Sequence, residues 1–380
     1  MRVLVAPDKF KGTLSAEQAA NAIAAGWRRA DPKASVETIP MADGGEGTLD
    51  ALVAAMGGEL FTEEVTGPLG DPVRSDFAVV DSANGPLGVV EMAGASGLAL
   101  VAARRRDPRR ASTFGTGQLI LAVCGKGVRR VLVCIGGSAT NDGGAGMAKA
   151  LGVRLLDARG FEIRPGGAAL LDLARIDLTE LDPSVRRVDF VVASDVDNPL
   201  VGPVGASFVY GPQKGATDED VAVLDSALRH FAAVVYRDLG VDLRDVPGAG
   251  AAGGLGAGLI AFLGAKLRPG VDVVMDAVGL RERMEGAGVV VTGEGRFDEQ
   301  SLHGKVPDGL LRVGGEFRVP VVILCGERRI DAPPGARVAS LTERFGLEAA
   351  RDRPRAVLES LAAEVGSAFL RERVDAAEGR

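Results

Sequence analysis

The sequence predicts an α/β chain of two domains, one of them a parallel sheet of the Rossmann/flavodoxin-like class built from both chain ends, the other an inserted mixed α/β domain. Three observations lead there. The chain has 380 residues, more than one ordinary hydrophobic core accommodates. Its first part holds two consecutive strand–loop–helix units, which implies parallel strands joined by right-handed crossovers. Its last part returns to the same style, with "GVVVTGEG" and "VPVVILCGE" reading as near-continuous apolar strands of the kind covered on both faces. The expected division is 1–62 with 286–380 for the discontinuous domain and 63–285 for the insertion.

Taken in order, "RVLVAP" reads as a short buried strand, and Ser15 with Gln18 makes a capping-box pattern. Ala20, Ile23, Ala24 and Trp27 then recur at helical spacing. "VETIP" is a second strand, "MADGGEG" a loop, and Leu49, Leu52, Val53 and Met56 line one face of a helix stopped by Gly57 and Gly58. From Leu60 to Met92, strand-like pieces alternate with turn signals such as "GPLGDP" and "NGPLG", the pattern of an antiparallel meander. Arg104–Arg110 ("RRRDPRR") reads as a solvated linker, with a phosphate-binding cluster as the second reading. Then "GTGQLILAVCGKG" is helical, "RRVLVCI" a strand, "GGAGMAKALG" helical and "VDFVVASDV" a strand. Thr217 caps a long amphipathic helix with Leu224, Leu228, Phe231 and Val235 on one stripe. "GGLGAGLIAFLGAKL" is a small-residue helix that must pack closely against a neighbour.

Composition narrows the function. A hydrophobic fraction of 46% and a charged fraction of 25% fit a globular protein. The net charge of −7 argues against a nucleic-acid or membrane-surface partner, because a polyanion is repelled at long range. Three cysteines without a C-x-x-C pair read as buried reduced thiols, and the expected location is cytoplasmic. No stretch approaches the ~18 apolar residues of a membrane span, and the apolar part of the N-terminus is too short for a signal peptide. No P-loop or protein-kinase motif occurs. The two histidines, His230 and His303, exclude an H-E-x-x-H zinc site.

The polar residues gather where the apolar strands end, which is where open parallel sheets bind ligands. These loops are "PDKFKGT" (Lys9, Lys11), "MADGGEGT" (Asp43) and "TGEGRFDEQSLHGK" (Glu294, Asp298, Lys305). The insertion adds "GGSATNDGGAG" (Ser138, Thr140, Asn141), "SDVDNP" (Asp195, Asn198) and "YGPQKG" (Lys214). Any one of these is also ordinary punctuation. Together, glycine, carboxylate and lysine at successive strand ends suit a phosphorylated ligand with a divalent metal. "GAGAAG" (Gly248–Gly253) matches a dinucleotide fingerprint but follows a charged segment ending in proline rather than a buried strand. A glycine-rich helix entry near Gly254, facing phosphate, fits better. A dinucleotide-dependent oxidoreductase is the alternative enzyme, and a non-catalytic sensor of an anionic metabolite the alternative of another class.

With these blocks in order, the sequence resembles the type-1 family of bacterial glycerate kinases over nearly its whole length. The blocks "APDKFKGTLSA", "PMADGGEGT", "EMAGASGL", "STFGTGQLI", "GGSATNDGGAGMA", "ASDVDNPL", "YGPQKGA", "GAAGGLGAGL" and "TGEGRFDEQSLHGK" carry it, with Ser301 where a Thr is common. The resemblance implies two α/β domains with a cleft between them, and ATP- and Mg²⁺-dependent phosphorylation of D-glycerate to 2-phosphoglycerate. The expected partners are D-glycerate and ATP, with homodimer formation open. Chemistry then suggests roles. Lys9 and Lys11 contact the transferred phosphoryl group or the glycerate carboxylate. Asp195, or else Asp43, accepts the substrate hydroxyl proton. Asp298 and Glu294 hold Mg²⁺. Ser138, Thr140 and Asn141 hold a small anion, with Asn198 and Lys305 also on substrate or phosphate. Lys214, Gly253 and Gly254 serve the ATP phosphates.

Overall fold

The computed structural model describes residues 1–378. In chain order its strands are β1 Arg2–Val5, β2 Ser35–Thr38, β3 Glu59–Thr66, β4 Pro72–Ser82, β5 Gly85–Glu91, β6 Arg130–Cys134, β7 Arg154–Leu156, β8 Arg175–Asp177, β9 Asp189–Ala193, β10 Lys266–Arg268, β11 Val289–Phe297, β12 Val321–Arg328 and β13 Ala336–Ser340. The chain divides into two compact units. One takes in Met1–Asp43, Asp50–Gly57 and everything from Gly270 onward; the other takes in Gly44–Leu49 and Gly58–Pro269.

The first unit holds a five-stranded, wholly parallel sheet in the order β13-β12-β11-β1-β2. The central strands run apolar where both faces are covered: Val3, Leu4, Val5, Val289, Val290 and Val291 have no exposed surface. The helix Ala16–Ala30 starts on the expected cap. Ser15 Oγ accepts from the Gln18 N–H at 3.1 Å, and the Gln18 side chain accepts from the Ser15 N–H at 3.1 Å. This helix packs on the C-terminal helix Pro354–Glu378 through Ile23, Trp27, Leu358, Leu361 and Phe369. Gly26 permits the approach, since a Cβ there would lie 2.1 Å from the Glu359 carbonyl oxygen. The unit resumes at Gly270, ahead of the expected residue 286. The helix Gly270–Ala277 is the reason: Val271 and Met275 close directly over Gly309 of the helix Val306–Phe317.

The second unit holds a six-stranded sheet in the order β10-β9-β6-β5-β4-β3. β3, β4 and β5 form the antiparallel meander, with Phe61 stacked on Phe77 at 5.1 Å. β5, β6, β9 and β10 run parallel. Short β7 and β8 pair separately as a hairpin. Phe231, Leu228, Val235 and Phe262, from the helices Asp218–Leu239 and Ala251–Leu263, anchor the core beside Met147 and Val192. The Arg104–Arg110 segment is largely exposed but not merely solvated, because Arg105 pairs with Asp71 at 2.7 Å and Arg109 with Asp220 at 3.1 Å. All three cysteines are buried and none forms a disulfide, and burial pushes the Cys124 and Cys325 thiols up to about 12. Among the described residues no helix is long and apolar enough to cross a membrane.

Candidate functional site

In the first unit the chain turns from β1 toward β2 on one side, while β11 lies on the other side and leads away to β12. The carboxyl ends of β1 and β11 therefore flank the topological switch point of the sheet, the usual ligand position in open α/β folds. β1 is prolonged along β11, with the Ala6 N–H on the Val291 oxygen at 2.8 Å and the Asp8 N–H on the Gly293 oxygen at 2.9 Å. This sets Asp8 beside Glu294. Asp8 is 9% exposed and accepts a 2.6 Å hydrogen bond from the Lys9 N–H. Burial first, and the charge of Asp43 second, push its carboxyl up to about 7, against the Lys9 N–H and the charges of Lys9 and Lys305. Glu294 is 6% exposed and is likewise pushed up to about 7 by burial. Ser301 and Lys305 oppose the rise, and the charges of Asp8 and Asp298 add to it.

The structure thus gathers Lys9, Asp43, Glu294, Asp298 and Lys305 of the expected residues into one electrostatic neighbourhood, together with Asp8. Glu294 Oε1 is buried with no hydrogen-bond partner. Asp298 already caps the turn Glu299–Leu302, accepting from the Gln300 N–H at 3.0 Å. Lys11 is exposed, its backbone passing over Gly295. His303 is exposed, with Nδ1 on the Glu299 oxygen at 2.6 Å.

In the second unit the loop after β6 is built around Asp142, which is fully buried. Its carboxylate accepts from the Thr113 N–H at 2.8 Å, the Gly146 N–H at 3.1 Å, the Gly144 N–H at 3.2 Å and the Thr113 hydroxyl at 3.0 Å. Burial raises its pKa and these donors oppose the rise. Ser138, Thr140 and Asn141 are buried in the same loop, with Thr140 Oγ1 and Asn141 Oδ1 lacking partners. Asn141 Nδ2 donates to Ser207 Oγ at 3.0 Å.

Three expectations change here. Lys214 is 1% exposed and donates from Nζ to the Thr140 oxygen at 2.7 Å; burial lowers it to about 7, against the charge of Asp142. It holds the loop from behind. Gly253 and Gly254 face backbone: a Cβ on Gly253 would meet the Thr140 oxygen at 2.0 Å, and one on Gly254 the Gly143 Cα at 2.9 Å. The glycines of the two loops are therefore small for each other. Asn198 is tied at both ends, donating to the Val204 oxygen at 2.7 Å and accepting from the Tyr210 hydroxyl at 2.7 Å. Asp195 is exposed, two residues past β9. His230 is structural, with Nε2 on the Leu173 oxygen at 2.7 Å.

The sequence places Asp8 in the loop after β1 and Asp142 in the loop after β6 but assigns neither a role. The position of Asp8 three residues beyond a buried strand was the available signal, but burial alone separates it from its acidic neighbours.

Among the described residues no group of three or more His, Cys, Asp or Glu side chains is placed to hold a metal ion. Mg²⁺ does not require one, because it keeps several waters and uses one or two carboxylates with phosphate oxygens. Two desolvated carboxylates and an unpartnered buried oxygen fit that demand.

The chain can be set beside known proteins. It is 48% identical over 326 residues to the glycerate 2-kinase of Escherichia coli (strain K12), covering 86% of this chain and 85% of that protein. It is 51% identical over 324 residues to a glycerate kinase of Halalkalibacterium halodurans, covering 85% of each. The crystal structure of a candidate glycerate kinase 2 from Salmonella typhimurium LT2 superposes with a TM-score of 0.91 at 43% identity, over 98% of this chain and 99% of that one. Residues 3–370 match the sequence pattern of the glycerate kinase family, so the acid–lysine cluster at the switch point and the clamped loop after β6 are features of a chain that belongs to that family.

Proposed function

We propose that the protein phosphorylates D-glycerate to 2-phosphoglycerate with ATP. The observation that carries this is the pair of desolvated carboxyls, Asp8 and Glu294, clustered with Asp43, Lys9 and Lys305 at the switch point of a parallel sheet in a glycerate kinase family chain. The strand order, read from β2 as second-first-third-fourth-fifth, supports a flavodoxin-like reading of the first unit. We read the two units as domains.

Phosphoryl transfer asks for positioning and charge neutralisation more than for covalent chemistry. Lys9 and Lys305 are the cations of this cluster and would face phosphoryl oxygens or the glycerate carboxylate; Lys11 is exposed. Asp8, pushed up to about 7 by burial first and the charge of Asp43 second, is better matched than an ordinary carboxylate to accept the proton of the 2-hydroxyl. Asp195, the residue expected from the sequence, is the competing acceptor. Glu294 and Asp298 would hold Mg²⁺, which would offset the negative charge of the phosphate groups. Thr140 Oγ1 and Asn141 Oδ1, buried without partners, leave the loop after β6 in the second unit with polar atoms open to a ligand. Phosphorus NMR of the product from D-glycerate and ATP tests the reading. The resonance of 2-phosphoglycerate is expected; the 3-isomer, or no product, refutes it.

A further inference from the structure

The second unit contains a cavity of about 360 Å³ walled by the β3–β4 turn, the start of the helix Phe114–Cys124, the helix Ala145–Ala150 and the segment 163–166. Its wall is mostly apolar, with Leu69, Phe114, Ile163 and Pro165 contributing. Arg110 also lines it and carries no ion pair or side-chain hydrogen bond among the described residues. The size falls within the ~300–1,000 Å³ range of small-molecule sites. Ser112 and Gly146 close one side of the cavity, and the adjacent Thr113 N–H and the Gly146 N–H both end on Asp142. The cavity therefore abuts the clamp that shapes the Ser138–Asn141 loop.

We propose that this cavity takes the adenosine half of ATP, with Arg110 as the cation toward its phosphate end. The inference rests on the proposed use of ATP and names where the nucleotide sits. D-Glycerate is a three-carbon polar anion with almost no apolar surface, and burying it against Leu69, Phe114 and Ile163 would strip its hydration without replacement. A flat base offers such walls both apolar area and a π-face. The residues first expected to serve ATP do not compete for this role: Lys214 is occupied by the Thr140 oxygen, and Gly253 and Gly254 face backbone.

Photolabelling of the unaltered full-length protein with 8-azido-ATP tests this directly. Label that excess ATP displaces is expected on peptides spanning 66–70, 110–114 or 163–166. Displaceable label confined to other segments overturns the inference. D-Glycerate turnover measured in parallel separates the two claims: label in the cavity without turnover sinks the kinase reading alone, and turnover with label elsewhere sinks the cavity alone. As a second arm, Leu69→Trp, which fills the cavity from the turn, is expected to raise the KM for ATP by at least about tenfold and leave the KM for glycerate within about twofold. An unchanged KM for ATP in the folded variant overturns the proposal.

Discussion

A carboxyl group becomes useful near pH 7 only when something makes its charge expensive, and at Asp8 burial and the neighbouring Asp43 do so together. Asp8→Asn keeps the shape and removes the proton acceptor. We expect its turnover number to fall by a factor of about 10² or more, within the usual range for general base catalysis, while Asp195→Asn loses far less. Steady-state ADP release with both variants checks this, and the reverse ranking would return the role to Asp195. The same burial has a stability consequence. Asp8 rises from 3.8 and Glu294 from 4.5, each to about 7, so between those values the folded, ligand-free protein binds more protons than the unfolded chain. Stability contributed by the two groups is complete below the ordinary carboxylate range and is lost as pH rises through about 7. Urea midpoints at pH 5 and pH 8 should therefore fall with pH, and Glu294→Gln should reduce the fall. Equal falls in both proteins would show that Glu294 titrates normally.

At the level of elements, the glycine-rich loops are two strands of backbone pressed together. Gly253 has φ +69°, and its absent Cβ leaves room for the Thr140 oxygen. Gly253→Ala combines a left-handed backbone with a 2.0 Å clash. A loss of about 2 kcal/mol or more is expected from urea unfolding, with the Thr140–Asn141 segment displaced. A neutral result would mean the two loops do not pack this way. Elements of this kind divide by how much physics a short window contains. β1, β11 and β12 were legible because the part of a strand covered on both faces reads as a run of apolar residues, and the helix at Ala16–Ala30 because its cap and stripe are local. β7, β8 and β13 were not read, and the start of β10 was read as the end of the helix that stops at Leu263: three of the four are three residues long, and β10 and β13 are sheet edges with little apolar pattern. The site divides in the same way. Lysines and acids at strand ends were visible, but a buried lysine holding a carbonyl and a lysine reaching a phosphate have the same local sequence. Only the fold around Lys214 separates them. The glycines at 253 and 254 pose the same ambiguity, since close approach to backbone and to phosphate both demand a missing Cβ.

The whole molecule joins a unit assembled from several stretches of chain to one that is nearly continuous. All six strands of the second sheet, its hairpin and its core helices lie within Gly58–Pro269, and the hydrophobic cluster around Phe231, Leu228 and Val133 is drawn from that span. The one piece from outside is Gly44–Leu49, whose Leu49 N–H donates to Glu91 at 2.7 Å and whose Gly45 lies against Gly136. That piece adds a contact at the end of β6 without contributing a strand. A fragment of residues 58–269 should therefore fold by itself, since a span of this length buries enough apolar surface for one core. Its urea unfolding, followed by far-ultraviolet circular dichroism, should be a single cooperative transition. The six-residue piece it lacks ends a buried hydrogen-bonded contact, and each such bond is worth about 1 kcal/mol, so addition of Gly44–Leu49 as a fused segment should raise the midpoint rather than create the transition. The complementary unit has no such fragment: β1 and β11 are neighbours in its sheet yet stand at opposite ends of the sequence, and neither half alone completes the sheet around the switch point. If residues 58–269 unfold without cooperativity, the two units are not separate domains, and the insertion reading of the chain fails with them.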